Sequence, residues 1–273
     1  MSEVAISIES PDSSASLMPE QRFDAAAKRF SASDFETSTE RTYPAQTIPE
    51  VIKPVPASVN SLPLSGHSLR EDALYVVCKR ATDIFISLTA ILILLPIILV
   101  AALAVKLYDG GPVLFSQVRV GKKGREFRCF KFRSMIVNAE SMRNTLIDKN
   151  EHSDQRTFKI MNDPRVTPPG RILRRFSVDE LPQLFNVLRG EMSIVGPRPP
   201  LPSEVALYSA YDFQRLAVKP GLTCIWQVSG RSRLAFPNQV KLDIEYIRSR
   251  SLKTDLAIIL KTFPAVLSGD GAA

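Results

Sequence analysis

The feature that most constrains this chain is an uncharged stretch of 22 residues, Ile84–Val105. As a straight helix it would be about 33 Å long at about 1.5 Å per residue, enough to cross a bilayer core of about 30 Å. This length and apolarity favour a membrane anchor over a buried core helix. Pro96, near the middle of the stretch, cannot donate a backbone hydrogen bond, and its ring clashes with the carbonyl four residues back. We therefore expect the helix to kink or break at Pro96.

Two topologies are open for this segment. Broken at Pro96, it has two arms that are each too short to span a bilayer, which fits a re-entrant hairpin that enters and leaves on one face. A single spanning helix fits the total length as well. Lys79 and Arg80 precede the stretch and Lys106 follows it. Because basic flanks stay on the cytoplasmic side, they slightly favour the re-entrant form and predict a cytoplasmic location for the rest of the chain.

The charges divide the chain into unlike parts. The whole sequence has a net charge of +7. Residues 1–78 carry six Lys and Arg against eleven Asp and Glu, whereas residues 79–273 carry 29 against 17, a net charge of +12. Residues 1–70 are rich in Ser, Thr, Pro and acidic residues without sustained periodicity, which predicts a disordered acidic tail. The expected domains are this tail (1–70), a membrane-associated helix-break-helix (71–108) and a cytoplasmic domain (109–273).

Several classes of function are disfavoured by what the sequence lacks. Its three cysteines are far apart and form no CxxC pair, which argues against a structural zinc site or a disulfide scaffold. Neither of its two histidines lies in a hydrolase motif, and neither GxGxxG nor GxxxxGK(S/T) occurs. The basic excess suits phosphates, nucleic acid or an anionic membrane. Nucleic acid is the weakest of these partners because no recognisable nucleic-acid module is present.

The pattern after residue 109 predicts an α+β fold, in which the membrane helix, re-entrant or spanning, precedes a small β-hairpin and several helices. The hairpin strands are expected at 113–118 and 125–135, and a strand-like stretch with Trp226 lies between Gly221 and Gly230. Helices are expected at 171–176, 180–189, 202–217 and 236–248. The last helix, Ser251–Leu267, is amphipathic and either packs on the core or lies on the membrane surface.

Asp179 and Glu180 precede an apolar helical run and allow two interpretations. Ser177 with Glu180 three residues later has the pattern of a helix capping box. However, the pair has more arginines around it than a helix start needs: Arg171, Arg174, Arg175, Arg189 and Arg198. Guanidiniums beside carboxylates suit a diphosphate substrate with a divalent metal. Arg198 is bracketed by two prolines, which would present it rigidly to a phosphate.

The order of the motifs resembles one known family. An apolar segment with a central proline is followed by FKFRSM, NDPRVT, GRILRRFSVDELPQLFNVLRGEMSIVGPRP, KPGLT and WQVSGR. From about Val77 to Ala265, the chain is identified on these motifs as a member of the bacterial sugar transferases. These are the monotopic phosphoglycosyl transferases, or polyprenyl-phosphate sugar-1-phosphate transferases. The short form resembles the enzymes that initiate rhizobial exopolysaccharide repeat units.

The resemblance implies a reaction and a location. It implies transfer of a hexose-1-phosphate, galactose or glucose, from a UDP-sugar to undecaprenyl phosphate, with Mg²⁺ as cofactor and UMP as product. This is the first membrane step of exopolysaccharide repeat-unit synthesis. It also implies the bacterial inner membrane and contact with its lipids, with residues 109–273 as a catalytic domain on the cytoplasmic face.

The resemblance also assigns roles to residues. Asp179 is the nucleophile that takes the phospho-sugar, Glu180 orients it, and the two acids hold the metal. Phosphate-binding and substrate-binding residues of the family correspond to Lys131, Arg174, Arg198 and, for UDP, Arg231. Two positions depart from the family pattern: Leu95 precedes Pro96 where serine is frequent, and Cys224 follows PGLT where glycine is usual.

One alternative comes from a different class of function. It is a non-catalytic, membrane-anchored scaffold of a polysaccharide assembly complex, against which the retained Asp179–Glu180 pair argues. The sequence identifies neither the sugar nor the oligomeric state, and a homo-oligomer stays open.

Overall fold

The computed structural model describes residues 73–142, 145–146, 150, 154, 156, 160, 162–230 and 234–269. The predicted tail (1–70) and Arg231 lie outside these residues. Helices α1 to α7 comprise Ala73–Asp109, Pro168–Arg175, Gln183–Arg189, Pro202–Val205, Ile225–Ser229, Phe236–Ser249 and Leu252–Ser268. Strands β1 to β4 comprise Leu114–Val120, Glu126–Phe132, Ser193–Val195 and Gly221–Thr223. Short 3-10 turns lie at Lys122–Gly124, Val178–Glu180 and Asp212–Ala217.

The first helix contains the whole apolar segment and continues through its proline. Helix α1 is a single helix of 37 residues with Pro96 inside it. Of the two outcomes expected at Pro96, the break is wrong, because the helix continues on both sides of the proline, and the kink stays a prediction. In the described part of the chain, α1 is the one helix long and apolar enough to cross a membrane, and only 11% of its most apolar window is buried. A core helix would be mostly buried.

The N-terminal part of α1 is fixed to the domain by polar contacts. The buried carboxylate of Asp83 accepts hydrogen bonds from Ser193 Oγ and from the backbone amide of Ile194, both at 3.0 Å. Arg80 donates to two carbonyls at the end of α3, at 2.6 and 2.7 Å. A cation is favourable there because a helix C-terminus carries partial negative charge.

The C-terminal part of α1 contacts the same domain. Ala101 and Val105 are buried against Leu173 of α2, and Asp109 forms an ion pair with Arg133 just after β2. Both ends of the apolar helix are thus attached to one folded unit.

Two small sheets support the rest of the domain. Strands β1 and β2 form the predicted antiparallel hairpin, in which Leu114 pairs with Phe132 and Val120 with Glu126. Strands β3 and β4 form a parallel pair that the sequence did not indicate. Next to this pair the backbones touch, since a Cβ on Gly221 would lie 2.1 Å from the Gly196 amide nitrogen. Only glycine fits such an approach, which explains a glycine in both MSIVGPRP and KPGLT.

Several predicted elements need correction. The predicted helix 202–217 is divided into α4 and the turn Asp212–Ala217, and the helix expected from residue 180 begins at Gln183. Trp226 lies in α5 and not in a strand, buried in the main core beside the buried Cys224. Helices α6 and α7 are found close to their expected bounds.

Helix α7 has the amphipathic character that its sequence predicts. Ile258 is fully buried in the core, whereas Leu256, Leu260, Phe263 and Leu267 are 56% to 74% exposed on the other face. The helix therefore packs on the core and still presents an apolar surface outward.

Candidate functional site

The acid pair lies on a short turn between two helices. Ser177 has φ 53° and ψ 20°, and its side chain makes no capping hydrogen bond. The capping-box interpretation is therefore wrong: Ser177 precedes the next turn in a left-handed conformation without capping it through its side chain, and its amide bonds back to the Arg174 carbonyl at 3.0 Å. The next residues form the turn Val178–Glu180, which carries both carboxylates into one cavity.

Glu180 is held between two cations from different parts of the fold. Lys131 of β2 donates to Glu180 Oε1 at 2.7 Å, and Arg198, from the loop after β3, donates to the same oxygen at 3.3 Å. Burial acts to raise the pKa of Glu180, but Lys131 and Arg198 outweigh it and hold the pKa below its usual range. Glu180 is therefore ionised and fixed in place.

The environment of Asp179 differs from that of Glu180 and shifts its pKa in the opposite direction. It is buried, and within the described residues no hydrogen bond fixes its carboxylate. Burial raises its pKa, with a further contribution from Glu180, and the charges of Lys131 and Arg174 only partly counter this. A carboxylate that is desolvated and held by no hydrogen bond, yet surrounded by cations, is available to bind a metal or to attack an electrophile.

The three predicted phosphate-binding residues converge on this pair. Lys131, Arg174 and Arg198 line one cavity of about 940 Å³ together with Asp179 and Glu180. They come from β2, α2 and the loop after β3, so the fold and not sequence proximity assembles them. Burial lowers the pKa of Arg174, against the opposing charge of Asp179. The predicted UDP contact, Arg231, lies outside the described residues.

A further cavity residue, Arg119, was not among the candidates. Its guanidinium donates to the Pro199 carbonyl at 3.0 Å, and the adjacent Val120 amide donates to the Pro200 carbonyl at 2.9 Å. The end of β1 thus holds the two residues that follow Arg198. The predicted strand ended at Val118 and therefore did not include Arg119. Continuing the two-residue alternation would have put it on the same face as Gln117, another residue that lines the cavity.

The carboxylates also allow a test of the metal that the resemblance implies. Among the described residues, no group of three or more His, Cys, Asp or Glu is placed to hold a metal. Both hydrogen bonds to Glu180 use Oε1, so Oε2 and the Asp179 carboxylate remain as donors. Mg²⁺ is usually bound through one or two carboxylates together with waters and substrate phosphates. The donor set therefore fits a Mg²⁺ shared with a diphosphate and not one enclosed by protein alone.

Comparison with known proteins gives relatives over this whole region. ExoY, an exopolysaccharide production protein of Sinorhizobium fredii, is 42% identical over 200 residues, covering 72% of this chain and 88% of the relative. The undecaprenyl-phosphate galactose phosphotransferase of Salmonella typhimurium is 41% identical over 197 residues, 71% of this chain and 41% of the relative. The undecaprenyl-phosphate glucose phosphotransferase of Komagataeibacter xylinus is 43% identical over 195 residues, 67% of this chain and 35% of the relative. The matched region thus spans less than half of the last two relatives.

The protein-family model described as "Bacterial sugar transferase" matches residues 74–269. This range runs from the start of α1 to the end of α7 and includes the acid pair and its three cations. The match covers well over half of the chain and agrees with the relationship to ExoY. The chain therefore belongs to the bacterial sugar transferase family of enzymes, which confirms the resemblance drawn from its motifs.

Proposed function

We propose that this protein transfers a hexose-1-phosphate, galactose or glucose, from a UDP-sugar to undecaprenyl phosphate and releases UMP. The observation that supports it most is the buried Asp179 carboxylate, which no hydrogen bond from the described residues fixes and which Lys131, Arg174 and Arg198 face. Two relatives are named for transfer of galactose phosphate and glucose phosphate to this lipid. The ExoY relative is named for exopolysaccharide production, which supports a role in exopolysaccharide synthesis, and we place this transfer at its first membrane step.

The reaction has two displacements at one phosphorus. In the first, an Asp179 oxygen bonds to the sugar-bearing phosphorus of the donor, the bond from that phosphorus to the bridging oxygen breaks, and UMP leaves with the electron pair. In the second, an oxygen of undecaprenyl phosphate bonds to the same phosphorus and releases Asp179 as the free carboxylate. The products are UMP and an undecaprenyl diphosphate sugar. This is covalent catalysis, which divides one transfer into two easier steps.

The three cations stabilise the negative charge of the phosphate groups during the transfer. Lys131, Arg174 and Arg198 neutralise phosphate oxygens that would otherwise repel a carboxylate nucleophile, and they do so from positions fixed before the substrate binds. Glu180 positions Lys131 and Arg198. Its second carboxylate oxygen, with Asp179, would hold a bound Mg²⁺. When bound, Mg²⁺ would add positive charge at the diphosphate. Chelation with EDTA should stop transfer, and added Mg²⁺ should restore it.

For the membrane, we propose that α1 is re-entrant and that residues 109–273 form the catalytic domain on the cytoplasmic face of the bacterial inner membrane. Two contacts support this: Asp83, directly before the uncharged stretch of α1, and Asp109, after it, both bond to the same domain. A helix that spans a bilayer has its two ends on opposite sides, about 30 Å apart, where one folded unit on one side cannot hold both. The exposed apolar face of α7 would lie against the same lipids.

The proposal is tested by measuring UMP release in detergent from UDP-galactose and UDP-glucose with undecaprenyl phosphate. We expect UMP release that depends on the lipid acceptor for at least one donor, and loss of activity in Asp179→Asn. Glu126→Gln, an exposed acid on β2, is the matched control and should stay active. Undiminished UMP release by Asp179→Asn would overturn the assignment of the nucleophile. A folded protein inactive with both donors would favour the scaffold.

A further inference from the structure

The cavity that contains Asp179 extends between the first and last helices as an apolar cleft. Four residues of α1 and six of α7 line it: Ile86, Ala90, Leu94 and Ile97, with Ile259, Thr262, Phe263, Ala265, Val266 and Leu267. The four α1 residues recur every three or four positions, as Ile259, Thr262 and Val266 do on α7, which is the spacing of a single helix face. The two helices thus form facing walls of one apolar cleft.

The base of this cleft is the turn that carries the acid pair. Val178 and Leu181, the residues on either side of Asp179 and Glu180, line the cavity as well. Val178 is also packed with the C-terminal part of α1, while Leu181 is packed on the main core. The apolar cleft therefore leads directly to the carboxylates and to their cations.

The N-terminal parts of the two helices are joined, and the cleft borders the exposed part of α1. Lys79 at the start of α1 and Asp255 at the start of α7 form an ion pair at 2.8 Å, which joins the two helices there. Farther along, no residue of α1 between Ser87 and Ala101 is buried, and Leu92 is 74% exposed. If α1 lies in the bilayer as proposed above, this side of the cleft faces lipid.

We propose that this cleft holds the first isoprene units of the lipid acceptor, an inference that rests on the proposed function. The polar end of the cavity, with Lys131, Arg174 and Arg198, suits a phosphate, while the walls suit a branched hydrocarbon. A UDP-sugar has no apolar part that would bind to such walls. A polyprenyl phosphate has a phosphate for the polar end and a hydrocarbon chain for the walls. The face from Ile86 to Ile97 is about 16 Å long at 1.5 Å per residue. It therefore accommodates the beginning of the chain, and the remainder extends into the bilayer.

Narrowing the cleft should impair the acceptor and leave the donor unaffected. Ala90→Phe and Val266→Phe fill the cleft from its two walls. Leu92→Phe and Leu260→Phe add comparable bulk to exposed positions on the same helices, outside the cleft, and serve as matched controls. We expect the cleft variants to raise the KM for undecaprenyl phosphate by about tenfold or more, with an unchanged KM for the UDP-sugar. The controls should change neither value. An unchanged acceptor KM in folded cleft variants would overturn the proposal.

A second measurement uses the unaltered protein and does not depend on how the variants fold. Undecaprenyl phosphate with a diazirine in its first isoprene units is photolysed with the full chain, and the labelled peptides are identified. We expect labels within residues 86–97 and 259–266. Labels confined to other segments would overturn the cleft assignment even if transfer is normal. Labels in the cleft without transfer to any lipid would contradict the proposed function and not the cleft.

Discussion

The Lys131 ammonium lies 2.7 Å from Glu180 Oε1, and this contact joins the β-hairpin to the turn that carries the acid pair. The lysine belongs to β2 and the glutamate to a turn that follows almost fifty residues later. Because Glu180 is held ionised there, the neighbouring Asp179 remains the carboxylate without a hydrogen-bond partner in the described part of the chain. The division of roles between two adjacent acids follows from this contact together with that of Arg198.

Removing the lysine should impair catalysis far more than folding. We expect Lys131→Met to lower kcat/KM for the UDP-sugar by roughly 100-fold, the scale of losing one preorganised donor at a reacting phosphate. Arg128→Met is the matched control, because Arg128 lies on the same strand with its side chain exposed on the opposite face. Steady-state kinetics of UMP release measure both variants. Equal activity of the two would contradict the role given to Lys131.

Arg119 should act on the donor through the loop that it holds. Arg119→Lys keeps the charge but loses the forked guanidinium that bonds to both Gln117 and the Pro199 carbonyl. We expect about a tenfold rise in KM for the UDP-sugar and a smaller change in kcat, because Arg198 is less well positioned. Arg125→Lys, on the exposed turn of the hairpin, should behave as wild type. A kcat loss without a KM change would show that Arg119 acts in another way.

Asp83 should stabilise the attachment of α1 to the domain. Its carboxylate accepts from Ser193 and Ile194 in a buried site, so Asp83→Ala leaves two donors without a partner. Such a loss costs about 1–3 kcal/mol per unsatisfied group, and we expect a fall in the free energy of unfolding of that order. Thr82→Ala, exposed on the neighbouring position, should change it little. Denaturant unfolding of the detergent-solubilised protein measures both, and equal stabilities would contradict the contact.

The topology of α1 is tested by cysteine labelling in a Cys78→Ser background. Leu74 and Leu107 lie near opposite ends of the helix, and each is 75% exposed. In a re-entrant arrangement, cysteine at either position should react with an impermeant thiol reagent from the cytoplasmic side of inverted vesicles and from no other side. Reaction of Leu74→Cys from the periplasmic side, with Leu107→Cys reacting only from the cytoplasm, would show a spanning helix.

The sequence predicted best those elements whose structure follows from the spacing of apolar residues along the chain. An uncharged run of helical length predicted α1, alternation predicted the hairpin, and the apolar stripe predicted α7. The convergence of Lys131, Arg174 and Arg198 on the acid pair was expected from the family resemblance, since these residues are distant in the sequence. No local pattern links them.

The predictions that the structure contradicts failed for physical reasons. Ser177 and Glu180 have capping-box spacing, but Ser177 adopts a left-handed conformation in which its side chain makes no capping hydrogen bond. The short apolar run around Trp226 fits a strand or a buried helix equally, and tertiary packing made it a helix. The parallel pairing of β3 with β4 joins distant segments through glycine backbones that touch, and periodicity within either segment carries no sign of this.

The most direct test of the central claim is covalent labelling of Asp179. The protein is incubated with a UDP-sugar labelled with ³²P at the sugar-bearing phosphate, without acceptor, and then digested and analysed. We expect UMP release matched by label on the peptide that contains Asp179, no label in Asp179→Asn, and transfer of the label to undecaprenyl phosphate when it is added. Acceptor-dependent transfer by a protein that never carries the label, or label retained in Asp179→Asn, would contradict the account.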